Sequence, residues 1–148
     1  TGDRQRGDYT LLADPPWDYM GEVAVGYPVM TLDDICAMPV NELAADDAVL
    51  FLWCSASLMQ QALDVVKAWG FTYKTQAIWD KKVAGQGVYF RLQHEVLMIA
   101  TRGQLPQVPP SSCPASVFVS PREDHSRKPE FVVGSEIAVA ENVSPDGA

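Results

Sequence analysis

Tyr9-Thr10-Leu11-Leu12-Ala13-Asp14-Pro15-Pro16-Trp17 lies close to the start of the 148-residue chain. Its first half is a short apolar run and reads as a buried strand. Its second half is a stiff turn that carries one carboxylate and one indole. A strand followed at once by such a turn places Asp14 at the carboxyl end of a sheet. That is where open α/β sheets bind their ligands.

The rest of the chain supports that reading. Residues 14–30 are punctuated by Gly and Pro and read as a loop. Thr31 is a natural N-cap, with Asp34 three positions on, and a helix Leu32–Met38 should stop before Pro39. Ala48–Trp53 is a continuous apolar run, as expected of a strand covered on both faces. Ser55 or Ser57 caps a helix running to Trp69, where Leu58, Met59, Ala62, Leu63, Val66 and Trp69 recur at helical spacing. Gly70 suits the position after that helix. Phe71–Ile78 reads as a strand, residues 81–88 as a loop, Val96–Ala100 as a strand, 102–115 as a Pro-rich loop and Ser116–Ser120 as a fifth strand. Alternating strands and helices predict an α/β fold, with a mostly parallel sheet and helices on both faces.

Composition fits one domain spanning residues 1–148. The chain is 47% hydrophobic and 20% charged, enough to bury a core. No run of 18 apolar residues is present, so no membrane partner is expected. The N-terminal residues are polar, so no secretory leader is expected. Cys36, Cys54 and Cys113 have neither disulfide-framework nor zinc-ligand spacing. This points to no metal and to a cytoplasmic setting. The net charge of −8 is unevenly spread. Residues 74–128 hold eight bases and four acids, so a basic surface for nucleic acid on an acidic body is one reading. Unevenly charged solvated faces are the other. Lys81 and Lys82 sit in this stretch as candidates for a phosphate, or as plain loop residues.

The turn suits one chemistry in particular. The exocyclic amine of adenine is a poor nucleophile because its lone pair is delocalised into the ring. Hydrogen-bond acceptors around it help it pyramidalise and stabilise the charge that builds on nitrogen during methyl transfer. Asp14 supplies a carboxylate and Pro15 a carbonyl. Pro15 and Pro16 fix the backbone and have no N–H, so the loop aims acceptors into a pocket. Trp17 offers a flat face for an extruded base. The competing reading makes Pro15-Pro16 a rigid turn and Trp17 a core anchor. Two prolines are too few for a polyproline ligand.

Further segments in order resemble a known family. They are Tyr27-Pro28-Val29-Met30-Thr31, Leu50-Phe51-Leu52-Trp53, Trp69-Gly70-Phe71, Ile78-Trp79-Asp80-Lys81, His94-Glu95-Val96-Leu97 and Arg122-Glu123-Asp124-His125-Ser126-Arg127-Lys128-Pro129. With Asp14-Pro15-Pro16-Trp17, residues 7–129 resemble the N6-adenine methyltransferase family named after the seventy-kilodalton subunit of the eukaryotic messenger-RNA adenosine methyltransferase. The resemblance implies a Rossmann-like methyltransferase fold with S-adenosylmethionine as cofactor. It also implies transfer of a methyl group to the N6 amine of adenine in nucleic acid, DNA in preference to RNA. It makes Asp14, Pro15, Pro16 and Trp17 catalytic, with Asp14 also touching the cofactor's amino group. Lys128 would pair with the cofactor's carboxylate, and His125 joins the cofactor side against a loop-holding alternative. Trp17 and Tyr27 would contact the substrate, and Lys81, from its place in the basic stretch, is a further substrate-binding candidate. His94 reads as a strand-end residue.

Beyond Pro129 the chain departs from the family pattern. Residues 130–148 contain neither an "E-L-F-A-R" strand nor a "G-W…W-G-N" segment. The fold is therefore expected to be incomplete at its C-terminal end, with 130–148 a divergent tail. The alternative function is a catalytically degenerate or truncated relative that serves as a nucleic-acid-binding or partner subunit. An exposed sheet edge leaves a homodimer or a heterodimer open. A nicotinamide oxidoreductase is disfavoured because no G-x-G-x-x-G is present.

Overall fold

The computed structural model describes residues 8–17, 29–105 and 109–120, and the backbone of 132–133, 136–137 and 142–143. The expected α/β, Rossmann-like architecture is present. Strands β1 (Asp8–Ala13), β2 (Ala44–Cys54), β3 (Thr72–Asp80), β4 (His94–Arg102), β5 (Val117–Val119), β6 (Val132–Val133), β7 (Glu136–Ile137) and β8 (Asn142–Val143) are joined by helices α1 (Leu32–Cys36), α2 (Val40–Leu43) and α3 (Met59–Ala68). The main sheet has the order β5-β3-β4-β2-β1-β8. β1 runs parallel to β2 and β8, and β3 parallel to β5, while β4 is antiparallel to both of its neighbours. So β4 alone is reversed in this sheet.

Period-2 alternation sorts the strand side chains onto two faces. Leu11, Ala13, Leu50, Leu52, Met98 and Ala100 meet Ile35, Val40, Ala62, Val65 and Val66 of the helices in one core. Phe51, Trp53, Trp79 and Leu97 form a second core on the opposite face. Trp53 and Trp79 meet edge to face at 5.9 Å there. This explains the unbroken apolar run of β2: it must be apolar on both sides. Among the described residues, all the α-helices pack on the first face, where helices on both faces were expected.

Three boundaries differ from expectation. α1 ends at Cys36, before the expected Met38, although Thr31 does cap it by accepting from the amide of Asp34 at 3.1 Å. The chain turns through Ala37–Pro39 and resumes as the short α2, which the sequence does not announce. Before α3, Ser55 accepts from the amide of Ser57 and starts a 3-10 turn, Ala56–Leu58, so the α-helix itself begins at Met59. At the far end of α3, Trp69 donates its indole N–H to the carbonyl of Ile35 at 2.8 Å and ties α3 to α1.

β2 starts at Ala44, four residues before the apolar run, and Arg102 at the end of β4 shows why. Its guanidinium donates to the carbonyls of Ala45 (2.9 Å), Ala44 (2.7 Å) and Asn41 (3.1 Å) and to the Asn41 side chain. One fork thus gathers the backbone acceptors where α2 becomes β2. Gly103 follows with φ of 76°, and a Cβ there would sit 2.0 Å from the Asp47 carboxylate. That carboxylate accepts from the amide of Gln104 at 2.8 Å. The amino end of β2 is therefore closed by polar contacts, and the opposite end is left for ligands.

Candidate active site

Strand register gathers the candidate residues at the carboxyl end of β1. Ala13 pairs with Leu52, Leu52 with Met98, and Met98 with Gln76. Beyond that line β1 gives way to Asp14, while β3 and β4 continue to the pairs Trp79–Glu95 and Asp80–His94. Asp14, Asp80, His94 and Glu95 therefore share one edge of the sheet. Asp14 is half-buried there.

The tetrapeptide is clamped from both sides. The Trp17 amide donates to the Pro15 carbonyl at 2.9 Å, which closes a tight turn around Pro16. The Met30 amide donates to the Pro16 carbonyl at 2.9 Å, and Trp17 and Met30 form a parallel bridge. The N–H of Trp17 is thereby turned inward, and Pro15 and Pro16 have none. The turn presents acceptors and no donors, as its sequence predicts. One lone pair of the Pro15 carbonyl is already engaged by Trp17, leaving the second.

Trp17 corrects an expectation. Its side chain is only 8% exposed, and it packs with Leu11, Ala13 and Leu52 in the helix-side core. Its indole N–H donates to the carbonyl of Trp53 at 3.1 Å. A ring bound to the end of β2 is not an open stacking face. The core-anchor reading holds, because burial of this large apolar ring and satisfaction of its one donor occur together.

Lys81 is a second correction. Its Nζ lies 2.8 Å from Oε2 of Glu95 and 5.4 Å from the ring centroid of Trp79. The two charged side chains are 21% and 18% exposed. Lys81 therefore closes a contact between β3 and β4 and does not stand ready for a phosphate. Lys82, the next residue, is exposed. His94 sits at the start of β4, as expected of a strand-end residue. Tyr27, His125 and Lys128 lie outside the described residues.

Two groups that the sequence reading passed over shape this edge. Asp80 accepts from the Gln93 side chain at 3.0 Å and from the Lys82 amide at 2.8 Å. The Gln93 bond first, and the Lys82 amide next, hold its carboxyl below the ordinary carboxylate value, so it is charged at neutral pH. Cys54 ends β2, and burial, followed by the nearby Glu95 charge, pushes its thiol up to about 12. It stays protonated and cannot compete as a nucleophile. An open depression of about 370 Å³, lined by Ile78, Asp80, Gln93, His94 and Val117, lies at the β3–β4–β5 part of this edge. With β4 and β2 between β3 and β1, it is separate from Asp14. Among the described residues no cluster of His, Cys, Asp and Glu could hold a metal ion.

Comparison with known proteins matches residues 9–139 to the MT-A70 family. Type II methyltransferase M.MunI from Mycoplasma sp is 29% identical, with 83% of this chain and 63% of that protein aligned. The N(6)-adenosine-methyltransferase catalytic subunit METTL3 of Homo sapiens is 26% identical over 91% of this chain and 23% of that protein. The N(6)-adenosine-methyltransferase MT-A70-like protein of Drosophila melanogaster is 37% identical over 48% of this chain and 11% of that protein. The chain thus spans less than two thirds of the length of the relatives it matches.

Proposed function

We propose that this chain, which belongs to the MT-A70 family, carries the target-amine site of an adenine-N6 methyltransferase. The substrate would be adenine in nucleic acid, DNA in preference to RNA. The preference for DNA is carried over from the family resemblance. The observation that carries the proposal is the clamped turn of Asp14-Pro15-Pro16 at the carboxyl end of β1, with its donors turned inward.

In this reading the Asp14 carboxylate and the second lone pair of the Pro15 carbonyl accept the two N6–H groups of the target. Holding both protons to acceptors turns the nitrogen lone pair out of the ring plane. The same acceptors stabilise the positive charge that develops on nitrogen. Neither needs to be a strong base, because the methylated ammonium loses its proton readily. Trp17 positions the pair by fixing the turn to β2. When bound, S-adenosylmethionine supplies a methyl group activated by its sulfonium charge. Asp14, at this edge, suits the amino group of that cofactor, and the family resemblance gives Lys128, outside the described residues, to its carboxylate. The protonated Cys54 thiol offers no competing acceptor for the methyl group. The odd count of three cysteines accords with the cytoplasm as its place.

The test combines calorimetry with S-adenosylmethionine and mass-spectrometric counting of N6-methyladenine in DNA and RNA. Heat of binding and methylated adenine are expected, with Asp14→Ala lowering transfer at least about 10²-fold. A chain that binds nucleic acid but takes up no donor at millimolar concentration acts as a partner subunit, and the catalytic reading fails.

A further inference from the structure

The connection between β3 and β4, residues 81–93, does more than join two strands. It carries Lys81, Lys82 and Arg91 and no acid, on a chain of net charge −8. Its tip turns three large apolar side chains into solvent: Val88 is 85%, Tyr89 98% and Phe90 78% exposed. Exposure of adjacent aromatic residues at this level is costly in water unless a partner covers them.

The tip is held by its own loop. Arg91 folds back and donates to the carbonyls of Gly85 (3.2 Å) and Ala84 (3.1 Å). The Gly85 amide donates to Leu92, the Leu92 amide to Gln86, and the Lys81 amide to Gln93. A Cβ on Gly87 would lie 1.9 Å from the Phe90 carbonyl, so only glycine permits this closure. Among the described residues, the non-glycine residues with left-handed backbone are Lys82 (φ 68°) and Tyr89 (φ 67°), both in this loop. For a tyrosine such a φ is a genuine outlier. Backbone strain of this kind persists where the surroundings impose it, and it gathers at sites that grip a ligand. The loop springs from the same sheet edge that carries Asp14. Its root is fixed by the Asp80 carboxylate, which accepts from the Lys82 amide and from Gln93.

We propose that loop 81–93 is a wedge for duplex nucleic acid, in which Tyr89 and Phe90 enter between stacked bases and hold open the gap left when an adenine leaves the stack. Lys82 meets a backbone phosphate beside them. Lys81 is engaged by Glu95, and the Arg91 guanidinium by the loop carbonyls, so Lys82 is the cation of this loop left to reach outward. Apolar side chains pushed between base steps, with cations on the neighbouring phosphates, are how proteins partly unstack a duplex. This inference rests on the proposed adenine-directed function, since a base needs a wedge only if an enzyme must take it out of the helix. It adds where the duplex is entered and by which residues.

The experiment uses the full chain and genomic DNA lacking N6-methyladenine, both native and heat-denatured. Binding is read by fluorescence anisotropy with a labelled random-sequence duplex. Opening is read by permanganate oxidation of unstacked thymines, which needs no methyl transfer. The double variant Tyr89→Ser/Phe90→Ser is expected to lower duplex affinity roughly tenfold. It should abolish the permanganate signal and change binding to denatured DNA less than threefold. Lys82→Gln should reduce the salt dependence of binding by about one phosphate contact. If the double variant melts early, the single variant Tyr89→Ser replaces it. The inference is overturned if the wild type does not open duplex, or if the variants open it equally well. It also fails if they lose duplex and denatured DNA alike. Duplex opening unchanged, with a halved molecular mass by light scattering, would make the tip a contact between copies of the chain and would overturn it too. A wild type that opens duplex but transfers no methyl group leaves this inference standing and removes the functional reading beneath it.

Discussion

The two ends of the main sheet use polar groups in opposite ways. At the amino end of β2, Arg102 takes up the carbonyls of Asn41, Ala44 and Ala45, and Asp47 takes the amide of Gln104. These groups answer others of the same chain, and the result is a closed junction. At the carboxyl end of β1, the prolines withhold donors, Trp17 turns its own N–H inward, and Asp14 is left half-buried at the edge. The contrast shows how one sheet can be locked at one end and present acceptors at the other.

The contrast can be tested in order of size. Arg102→Ala should be the most damaging change, because it leaves several backbone acceptors at the α2–β2 junction without their charged donor. A loss of about 2–4 kcal/mol in urea unfolding is expected, and Arg102→Lys should recover little, since a point charge cannot replace the fork. A loss under 1 kcal/mol would mean that the closed end is not what anchors the sheet. Trp17→Phe keeps an aromatic ring in the core but removes the bond to the Trp53 carbonyl. It should cost about 1–2 kcal/mol in stability and lower methyl transfer by more than that loss of folded protein explains. Activity unchanged per folded molecule would show that the turn needs no tether to β2. The smallest effect belongs to Asp80. Its carboxyl is held below the ordinary value, first by Gln93 and then by the Lys82 amide. Its bonds therefore stabilise the loop root above that ordinary value and are lost as pH falls through the lowered one. The Lys82 amide proton shift, followed by NMR as the solution is acidified, should move only below the ordinary carboxylate range. Asp80→Asn should flatten that transition.

Local patterns carried most of the fold. The strands at Tyr9–Ala13, Ala48–Trp53, Phe71–Ile78, Val96–Ala100 and Ser116–Ser120 and the helix ending at Trp69 all stand within a few residues of their expected bounds. Hydrophobic periodicity is a short-range signal and reports such elements directly. The early start of β2 was not legible, because it depends on Arg102, which lies far along the chain from Ala44. The capture of Lys81 by Glu95 depends on the β3–β4 register, which no local pattern states. Trp17 was ambiguous in principle, since a stacking platform and a core anchor ask for the same flat apolar ring. Only its hydrogen bond to Trp53 separates them. The position of Asp14 at the end of β1 was legible, because a rigid Pro-Pro turn at a strand end is a local signal.

The bond from the Trp17 indole to the Trp53 carbonyl also makes the site a gauge of assembly. Successive carbonyls of a strand point to opposite neighbours, so a slip of β2 by one residue would turn that acceptor away from β1. The indole would then lose its partner and the turn its tether. A chain with misaligned β2 loses this tether, so the placing of Asp14 and correct strand alignment arise, and fail, together.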